Sequence, residues 1–346
     1  MVIRAMRYAG RLRGSALVLI LSSLLCAGCG YTKTGGVQTI CCPVRSDPVE
    51  LTYLGSGGWI IEAGGEMLLT APLFSNPGPV AVLTGVLEVK KEIIDERADI
   101  YDLHEALGVL VGHGHYDHLM DVSYLTVTHA KSATIYGSRT VRNQIIAYPG
   151  LDHRRIQTID QRAATVSRMG RWTSVGTRFR FMPVRSQHSS HTENIHLWQG
   201  VRTIPMATVP RTAHDWLEGE TYAYVIDVMN RSGQLQMRIY YNDSASSYPL
   251  GFPPPAMRTP DAVPMLTILT APGHKWETDY PGQILSHLAA DYALVGHWEY
   301  FFNNWGGLQF GTPTTDLNAF TDEMELRMSG PWWLPKVGAK FIFVPS

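Results

Sequence analysis

The stretch Val111-Gly112-His113-Gly114-His115-Tyr116-Asp117-His118-Leu119 decides how the rest of this sequence is interpreted. It places three imidazoles and one carboxylate within six residues, directly after a short apolar run that predicts a buried strand. Side chains two residues apart share one face of an extended segment, so His113 and His115 are expected to face one metal ion together. The two glycines allow the backbone to turn, so that Asp117 and His118 can reach a second ion.

Packing is the alternative explanation for these side chains, because single histidines are more often surface or core residues than ligands. Four such groups this close together after a buried strand are difficult to explain by packing, since buried polar groups without partners are costly. Imidazole and carboxylate ligands suit a borderline ion such as zinc. The stretch therefore predicts a site for two ions, with zinc expected and manganese or iron left open.

The pattern His-x-His-x-Asp-His resembles the signature of the metallo-β-lactamase superfamily. The form with Tyr116 and Leu119 is most similar to the branch of N-acyl-phosphatidylethanolamine phospholipase D-like and ascorbate-6-phosphate lactonase-like proteins. The glycine-rich hairpin Leu54-Gly55-Ser56-Gly57-Gly58-Trp59 is typical of that branch, and the similarity runs from Val49 to about Phe302. The resemblance implies an α/β fold, a four-layer αβ/βα sandwich.

The same resemblance implies the third ligand of the first ion. In the family, this residue is a histidine at the end of a strand downstream of the motif. His188 follows the strand-like run Phe181–Val184 and is the expected ligand. His191 and His196 lie close by in the sequence and are its competitors.

The remaining ligands are expected at the ends of two later strands. A carboxylate that bridges the two ions is expected where Asp243 follows an apolar run, and the alternative is a turn carboxylate that caps its own loop. The last ligand is expected near the end of the chain, where His297 stands. The resemblance thus gives seven metal ligands: His113, His115, Asp117, His118, His188, Asp243 and His297.

Two ions about 3.5–4 Å apart can share a bridging hydroxide, because metal binding lowers the pKa of water towards roughly 7. The expected function is hydrolysis of a phosphodiester or a related ester or lactone, in a small molecule or a lipid, with Asp117 and Asp243 as catalytic residues. Tyr116, His191 and His274 are expected to shape the substrate pocket. A non-catalytic metal-binding lipoprotein of the cell envelope and a di-iron redox protein are the alternative functions.

One position departs from the family pattern. The chain reads Thr70-Ala71-Pro72 where related proteins often read Thr-Asp-Pro. Loss of a supporting carboxylate costs about 10–100-fold in metal affinity or activity, and Asp121 is the residue considered as a replacement. Ala71 is the best support for the non-catalytic alternative, whereas retention of all seven ligands favours an enzyme. His115 argues against the di-iron alternative, whose members usually have glutamate in that place.

Residues 1–28 predict an export signal. Four arginines precede the apolar run Ala16–Ala27, which is shorter than the roughly 20 residues that a bilayer-spanning helix needs. Leu25-Cys26-Ala27-Gly28-Cys29 resembles a bacterial lipobox, although the usual leucine is displaced by one position. We therefore expect a lipoprotein anchored in the membrane through lipidated Cys29, facing the periplasm or the cell exterior. A plain cleaved signal and an uncleaved anchor are the alternatives.

Composition and charge set the remaining expectations. The 29 Lys and Arg and the 30 Asp and Glu nearly cancel, and loss of residues 1–28 would leave the acidic residues in excess. No nucleic-acid partner is expected, because such binding depends on clustered Lys and Arg. Residues 29–48 predict a linker and residues 49–346 the hydrolase domain. The adjacent Cys41 and Cys42 are expected either to form a disulfide, within or between chains, or to remain free.

Apolar periodicity in the domain predicts mainly strands, with helices between them. Thr221–Val228 and Met237–Tyr241 are expected to form a hairpin across a turn at residues 230–233. Ile100–Leu107 and Asp316–Arg327 are expected to be helical. This alternation suits sheets that are covered by helices.

Overall fold

Two mixed sheets of eight strands each form the centre of the structure, a computed structural model that describes residues 33–43, 47–193, 195–260, 263–303, 305 and 309–345. The strands are β1 (Lys33–Thr34), β2 (Val37–Cys42), β3 (Val49–Gly55), β4 (Gly58–Ala63), β5 (Glu66–Thr70), β6 (Ala106–Leu110), β7 (Thr134–Gly137), β8 (Ile156–Thr158), β9 (Thr173–Val175), β10 (Phe179–Arg185), β11 (Tyr222–Met229), β12 (Leu235–Asn242), β13 (Met265–Thr270), β14 (Tyr292–Gly296), β15 (Trp332–Pro335) and β16 (Lys340–Pro345). One sheet has the order β2-β16-β3-β4-β5-β6-β7-β8 and the other β1-β15-β14-β13-β12-β11-β10-β9.

Helices cover the outer faces of both sheets. They are α1 (Pro79–Thr84), α2 (Lys91–Ile100), α3 (Tyr116–Leu119), α4 (Val122–Thr128), α5 (Arg139–Ile145), α6 (Gly282–Leu288) and α7 (Leu317–Arg327). The first five pack buried side chains against β3 to β7, and α6 and α7 pack against the other sheet. The predicted four-layer αβ/βα sandwich is confirmed. No helix in the described residues is both long and apolar enough to cross a membrane.

The strands of the first sheet are apolar on both faces because each face packs against a different layer. In β4, Trp59 and Ile61 belong to the core between the sheets, whereas Ile60 packs beneath the outer helices. Leu68 and Leu69 divide in the same way in β5. Full burial of such a side chain stabilises the fold by about 1.5–3 kcal/mol. Burial on both faces explains why the apolar runs here are continuous rather than alternating.

Strand direction brings the ends of several strands to one edge of the sandwich. β5, β6 and β7 are parallel neighbours in one sheet, and β12, β13 and β14 are parallel neighbours in the other. The edge at which β6, β12 and β14 end is called the site edge below. β10 also ends there, because it runs antiparallel to β11, which runs antiparallel to β12.

The segment that was expected to be a linker contains two strands. β1 pairs with β15, and β2 pairs with β16 from Val37 to Cys42. Their partners lie about 300 residues away in the sequence, so local periodicity gave no sign of this pairing. Cys41 is exposed and Cys42 is buried. Residues 1–28 and Cys29, on which the signal and lipidation predictions depend, lie outside the described residues.

The helix predicted for Ile100–Leu107 is wrong. α2 ends at Ile100, and Asp102 follows with a left-handed backbone conformation, φ 50°. From Ala106 the chain forms β6, which lies between β5 and β7. The apolar residues at 100, 103, 106 and 107 imitate helical spacing, but pairing with two neighbouring strands decides the conformation of this segment. The predicted hairpin is present as β11 and β12.

Candidate metal centre

The seven expected ligands follow four different strands at the site edge. His113 and His115 lie in the loop after β6, and Asp117 and His118 belong to the short helix α3 that begins directly after this loop. His188, Asp243 and His297 follow β10, β12 and β14. The structure brings all seven together, and their roles as metal ligands stay a prediction.

Three histidines form the first group of possible ligands. The nitrogens that His113, His115 and His188 offer lie within 4.8 Å of one another. Their ring centroids are 4.7 to 4.8 Å apart. His113 and His115 are buried and His188 is partly exposed, so the group is open on the side of His188. This spacing fits three donors around one ion.

A second group lies next to the first. His113, Asp117 and His118 also offer atoms that lie within 4.8 Å of one another. His297 joins this group through its Nε2, which is 3.2 Å from Asp117 Oδ2. His118 Nε2 is 3.3 Å from the same carboxylate oxygen. One carboxylate therefore contacts the histidines of two different loops.

Asp243 lies between the two groups. Its Oδ2 is 2.9 Å from His113 Nδ1, and its Oδ1 is 2.9 Å from His118 Nδ1. Its side chain is fully buried. The two oxygens of one carboxylate thus face one histidine of each group, which is the arrangement expected of a bridging ligand. Tyr241 donates a short hydrogen bond to Oδ1 and holds the carboxylate in place.

Several buried ring nitrogens of these histidines have no hydrogen-bond partner. They are His113 Nε2, His115 Nε2, His118 Nδ1 and His297 Nδ1. His118 Nδ1 is close to Asp243, but the contact does not have hydrogen-bond geometry. Buried polar atoms normally have partners, because leaving one unpaired costs roughly 1–3 kcal/mol. Lone pairs of imidazole beside two carboxylates fit one or two ions of the zinc type.

Electrostatics also suit the binding of cations. Burial lowers the pKa of His115 and of His188 well below the usual value, which leaves these rings neutral with a free lone pair. Burial raises the pKa of Asp243, but His118 and His113 outweigh it and hold this pKa well below its usual value. Burial lowers the pKa of His118, whereas the two neighbouring carboxylates raise it to about 10. Without a bound cation, His118 thus carries a proton between the two carboxylates, and a cation bound there would replace that proton.

Two glycines allow the loops to approach the centre this closely. A Cβ atom at Gly112 would lie 2.3 Å from Asp243 Cβ, and one at Gly57 would lie 2.5 Å from His118 Nδ1. Contacts this short do not occur, so any side chain at either position would displace the carboxylate or the imidazole. The glycine-rich hairpin after β3 is therefore part of the wall of the centre.

A buried network supports the loop that carries His297. Glu299 accepts a 2.6 Å hydrogen bond from the backbone N–H of Ser56 and a short one from the Tyr53 hydroxyl. The Tyr53 oxygen accepts a 2.7 Å bond from the backbone N–H of His297. The sequence did not identify these residues. The one available signal was a glutamate two residues after an expected ligand.

Asp121 does not replace the acidic residue missing at Ala71. Its carboxylate accepts hydrogen bonds from the backbone N–H groups of Phe74 and Ser75, both at 2.7 Å, and from the Ser75 hydroxyl at 2.6 Å. These bonds hold the loop after β5. Asp121 therefore supports the fold near the centre without contacting the expected ligands through these bonds.

The three expected pocket residues lie in different surroundings. His191 stacks on His188 with ring centroids 4.8 Å apart, and its Nδ1 accepts a 3.2 Å bond from the backbone N–H of Leu197. Tyr116 is buried in the core beneath the centre. His274 is buried and its ring packs against Phe320 of α7. Of the competitors for the third ligand, His196 instead bonds the Ser190 hydroxyl.

A polar cavity of about 440 Å³ opens beside His188. It is lined by Gln187, His188, Ser190, His196, Gln199, Glu218, Ser247, Trp276 and Glu277. Glu277 accepts hydrogen bonds from Gln187 Nε2 at 2.6 Å and from Ser247 Oγ at 2.5 Å. The lining contains two carboxylates and neither lysine nor arginine. Most of these residues lie in loops without periodicity, so sequence patterns did not connect them into one cavity.

Comparison with known proteins agrees with this architecture. Residues 77–228 match the family described as "Beta-lactamase superfamily domain". The metallo-β-lactamase fold protein YhfI from Bacillus subtilis is similar, with 16% identity and a TM-score of 0.50, over 86% of this chain and 100% of that one. Igni18, a metallo hydrolase from the archaeon Ignicoccus hospitalis, has 14% identity and a TM-score of 0.52 over the same shares. A search of the curated proteins finds no match.

These comparisons confirm the metallo-β-lactamase fold. The matched residues 77–228 include the motif loop and His188, while Asp243 and His297 lie beyond them. The specific branch suggested by the Gly-Gly-Trp hairpin and by Tyr116 stays a prediction.

Proposed function

We propose that this protein is a metal-dependent hydrolase that uses two ions, of which zinc suits the donors best. The observation that carries the proposal is the position of Asp243, which lies 2.9 Å from one histidine of each ligand group. His113, His115 and His188 would hold one ion. Asp117, His118 and His297 would hold the other, with Asp243 between them. The metallo hydrolase Igni18 has the same fold.

Bound ions would lower the pKa of water and polarise the oxygen of the bond to be cleaved. The residues of the chain supply positioning and proton acceptance. The Asp117 side chain retains 12% exposure, whereas that of Asp243 has none. Asp117 is therefore the carboxylate that solvent can reach, and we assign it as the proton acceptor. Asp243, fixed by Tyr241 and two histidines, orients its neighbours.

His191 is placed to bind the substrate. Its Nδ1 accepts a hydrogen bond from the backbone N–H of Leu197, so the neutral ring carries its proton on Nε2. Burial lowers the pKa of His191 to about 4, which keeps the ring neutral near pH 7. The Nε2–H group is a donor for an oxygen of a substrate seated beside His188.

The lining of the cavity favours an uncharged ester or lactone over a phosphodiester. Recognition of phosphate normally uses arginine or lysine, and the cavity presents Glu218 and Glu277 instead. Glutamine and serine side chains supply the hydrogen-bond donors and acceptors that an ester or a hydroxylated lactone requires. We retain the phosphodiester as the second substrate class to be tested.

The experiment compares turnover of a p-nitrophenyl ester, a thiolactone and bis-p-nitrophenyl phosphate by the full chain loaded with zinc, manganese or iron. We expect turnover that a chelator abolishes and that His115→Ala and Asp243→Ala both lose. His129→Ala is the matched control, because His129 also contacts a carboxylate but lies on the surface, paired with Asp95. Turnover that survives both the chelator and the variants would contradict the proposal. Two retained ions without turnover would favour a metal-binding protein.

We also propose that the chain is exported and anchored through Cys29. The support is the sequence of residues 1–28 and the cysteine that follows. Mass spectrometry of the N-terminal peptide, with Cys29→Ser as the control, tests this. A diacylated cysteine is expected, and an unmodified Cys29 in membrane-extracted protein would contradict it.

A further inference from the structure

Two residues beside the candidate metal centre have left-handed backbone conformations that residues with a Cβ rarely adopt. They are Ser56, φ 50°, in the hairpin after β3, and His297, φ 55°, directly after β14. Such a conformation crowds the Cβ atom against the following carbonyl oxygen, so it persists only where the surroundings fix it. The two side chains meet, with Ser56 Oγ 3.4 Å from His297 Nε2.

One carboxylate and one hydroxyl hold both of these conformations. The backbone N–H of Ser56 donates a 2.6 Å bond to Glu299 Oε1. The backbone N–H of His297 donates a 2.7 Å bond to the Tyr53 hydroxyl oxygen, and this hydroxyl donates a short bond to Glu299 Oε2. Tyr53 and Glu299 therefore connect the two left-handed residues, and the pair is called the tyrosine–glutamate link below.

The link is closed to solvent. Tyr53 and Glu299 are both fully buried. The Tyr53 ring packs against Trp59 with ring centroids 4.6 Å apart, which restricts the direction of its hydroxyl. A buried carboxylate is costly unless hydrogen-bond donors surround it. Removal of the Tyr53 hydroxyl would take this partner from both Glu299 Oε2 and the backbone N–H of His297.

The link crosses from one sheet to the other. Tyr53 lies in β3 of the first sheet, whereas His297 and Glu299 follow β14 of the second. The second ligand group is divided in the same way, because Asp117 and His118 follow β6 of the first sheet and His297 comes from the second. Distances within this group therefore depend on how the loop after β14 is held against the first sheet.

The first ligand group is held differently. His188, its member from the second sheet, donates a 2.7 Å bond from Nδ1 to the carbonyl oxygen of Ser189. The backbone N–H of Ser189 donates a 3.1 Å bond to Ser244 Oγ, in the loop after β12. Neither bond involves Tyr53 or Glu299, so loss of the link should affect the second group and spare the first.

We propose that Tyr53 and Glu299 are positioning residues for the second ion. This proposal rests on the two-ion site of the proposed function. The link holds the backbone of His297 in the conformation that brings its Nε2 to 3.2 Å from Asp117 Oδ2. Without the link, the loop after β14 would relax towards the conformations that residues with a Cβ prefer, and the His297 ring would turn away from Asp117. Neither positioning residue contacts reacting atoms, and both act through His297.

Stepwise titration of the metal-free full chain with Co²⁺, followed by visible absorption, tests the proposal. Tyr53→Phe removes the hydroxyl and keeps the ring beside Trp59. Outer partners of metal ligands contribute about 10–100-fold in affinity, so the second equivalent of Co²⁺ should bind at least about tenfold more weakly. The affinity and the absorption bands of the first equivalent should stay unchanged.

Tyr240→Phe is the matched control. Tyr240 is also fully buried, and its hydroxyl donates a 2.6 Å bond to the carbonyl oxygen of Gly251. This variant should bind both equivalents as the parent does. Equal weakening of both equivalents in Tyr53→Phe, or of neither, would overturn the proposal, and so would the same selective loss in Tyr240→Phe.

A pair of variants at Glu299 separates positioning from packing. Glu299→Gln keeps the volume and an oxygen that can accept the Ser56 bond, so it should weaken the second equivalent less than Glu299→Ala does. Thermal unfolding of the metal-free chains shows which variants are folded. If Tyr53→Phe did not fold, a second equivalent that bound as tightly in Glu299→Ala as in the parent would overturn the proposal.

A parent chain that binds no Co²⁺ would instead remove the proposed function. Crystal structures of the metal-free parent and Tyr53→Phe would then still decide the role of the link. We expect His297 Nε2 to lie beyond hydrogen-bond distance of Asp117 Oδ2 in the variant. An unchanged position of the His297 ring would overturn the proposal.

Discussion

Two buried carboxylates lie near opposite ends of the same β-hairpin and have different surroundings. Asp227 in β11 is fully buried between two arginines. Arg238 contacts both of its oxygens, at 2.5 and 2.9 Å, and Arg180 lies 2.7 Å from Oδ2. Asp243, directly after β12, contacts His113, whose Nε2 lacks a partner, and His118, whose Nδ1 faces it without hydrogen-bond geometry.

This difference indicates that the Asp227 carboxylate has a structural role, whereas the Asp243 carboxylate is available to a ligand. Burying a carboxylate costs several kcal/mol unless partners compensate for the lost water. Asp227 has guanidinium partners for both oxygens, so its interactions are complete within the chain. Asp243 and its histidines retain unpaired lone pairs, and a cation would use them. Mutation should therefore lower mainly activity at Asp243 and mainly the free energy of unfolding at Asp227.

Mutation of Asp243 should cause the greatest loss of activity. Asp243→Ala should lower turnover at least about 1,000-fold, because a correctly held metal contributes several kcal/mol of transition-state stabilisation. In the presence of a chelator its unfolding midpoint should stay near that of the parent, since the neighbouring histidines can lose their protons. Steady-state kinetics and thermal unfolding measure the two effects. If Asp243→Ala were unfolded in chelator at the temperature of the kinetic assay, at which the parent is folded, this assignment would be contradicted.

Loss of stability should dominate at Asp227. Asp227→Ala leaves the guanidinium of Arg238 buried without its carboxylate, which should lower the free energy of unfolding by about 3–5 kcal/mol. The metal content of the folded fraction should not change. Urea denaturation and metal analysis of the same sample provide the test. If this variant lost metal as completely as the Asp243 variant, the distinction between the two carboxylates would fail.

A smaller effect should follow from crowding Asp243. Gly112→Ala places a methyl group 2.3 Å from Asp243 Cβ, and relief of such overpacking typically costs about 1–3 kcal/mol. Displacement of the carboxylate should weaken metal binding by roughly tenfold or more. Gly78→Ala is the control, since its added Cβ would meet nothing within 4 Å. Equal metal affinity in the two variants would show that Gly112 does not set the position of Asp243.

The smallest effect concerns a carboxylate and a histidine at the surface. The hydrogen bond from His129 to Asp95 lowers the pKa of that carboxyl. Because this pKa is lower in the folded state, the pair stabilises the fold at pH values above the unfolded-state pKa of about 3.9. This contribution disappears as the pH falls through the folded-state pKa. Asp95→Asn should therefore be less stable than the parent above pH 5, with the difference shrinking towards pH 3.

The expected difference is below about 1 kcal/mol, because the Asp95 side chain is 46% exposed and the pair is screened by solvent. Urea denaturation at pH 3, 5 and 7 measures it. A difference that grew on acidification would contradict the sign. Asp95 and His129 thus show what the same two residue types contribute at the surface, outside the candidate metal centre.

The sequence predicted those parts of the site that depend on local spacing or on strand ends. The motif from His113 to His118 is compact, and Asp243 and His297 directly follow apolar runs, so strand direction brings them to one edge. His274 lies between Asp243 and His297 in the sequence and was expected to shape the substrate pocket. A left-handed turn at Gly273, φ 77°, instead leads into a segment in which the ring of His274 packs against α7. Sequence distance alone could not show this.

Long-range pairing and aperiodic loops were beyond prediction. β2 looked like a linker because its partner β16 lies about 300 residues away. Glu218 and Glu277 line one cavity although about 60 residues separate them, and neither lies in a recognisable motif. Tertiary contacts, rather than local propensity, determine these features.

Metal content decides whether Asp243 lies between two bound ions. The full chain, Asp243→Ala and Asp227→Ala would be dialysed against zinc, freed of excess metal and analysed by mass spectrometry, with unfolding midpoints recorded before and after loading. We expect two ions per chain in the parent and in the folded Asp227 variant, a raised midpoint on loading, and at most one ion in the Asp243 variant. A parent chain that retains no ion and whose midpoint does not respond to zinc, manganese or iron would contradict it.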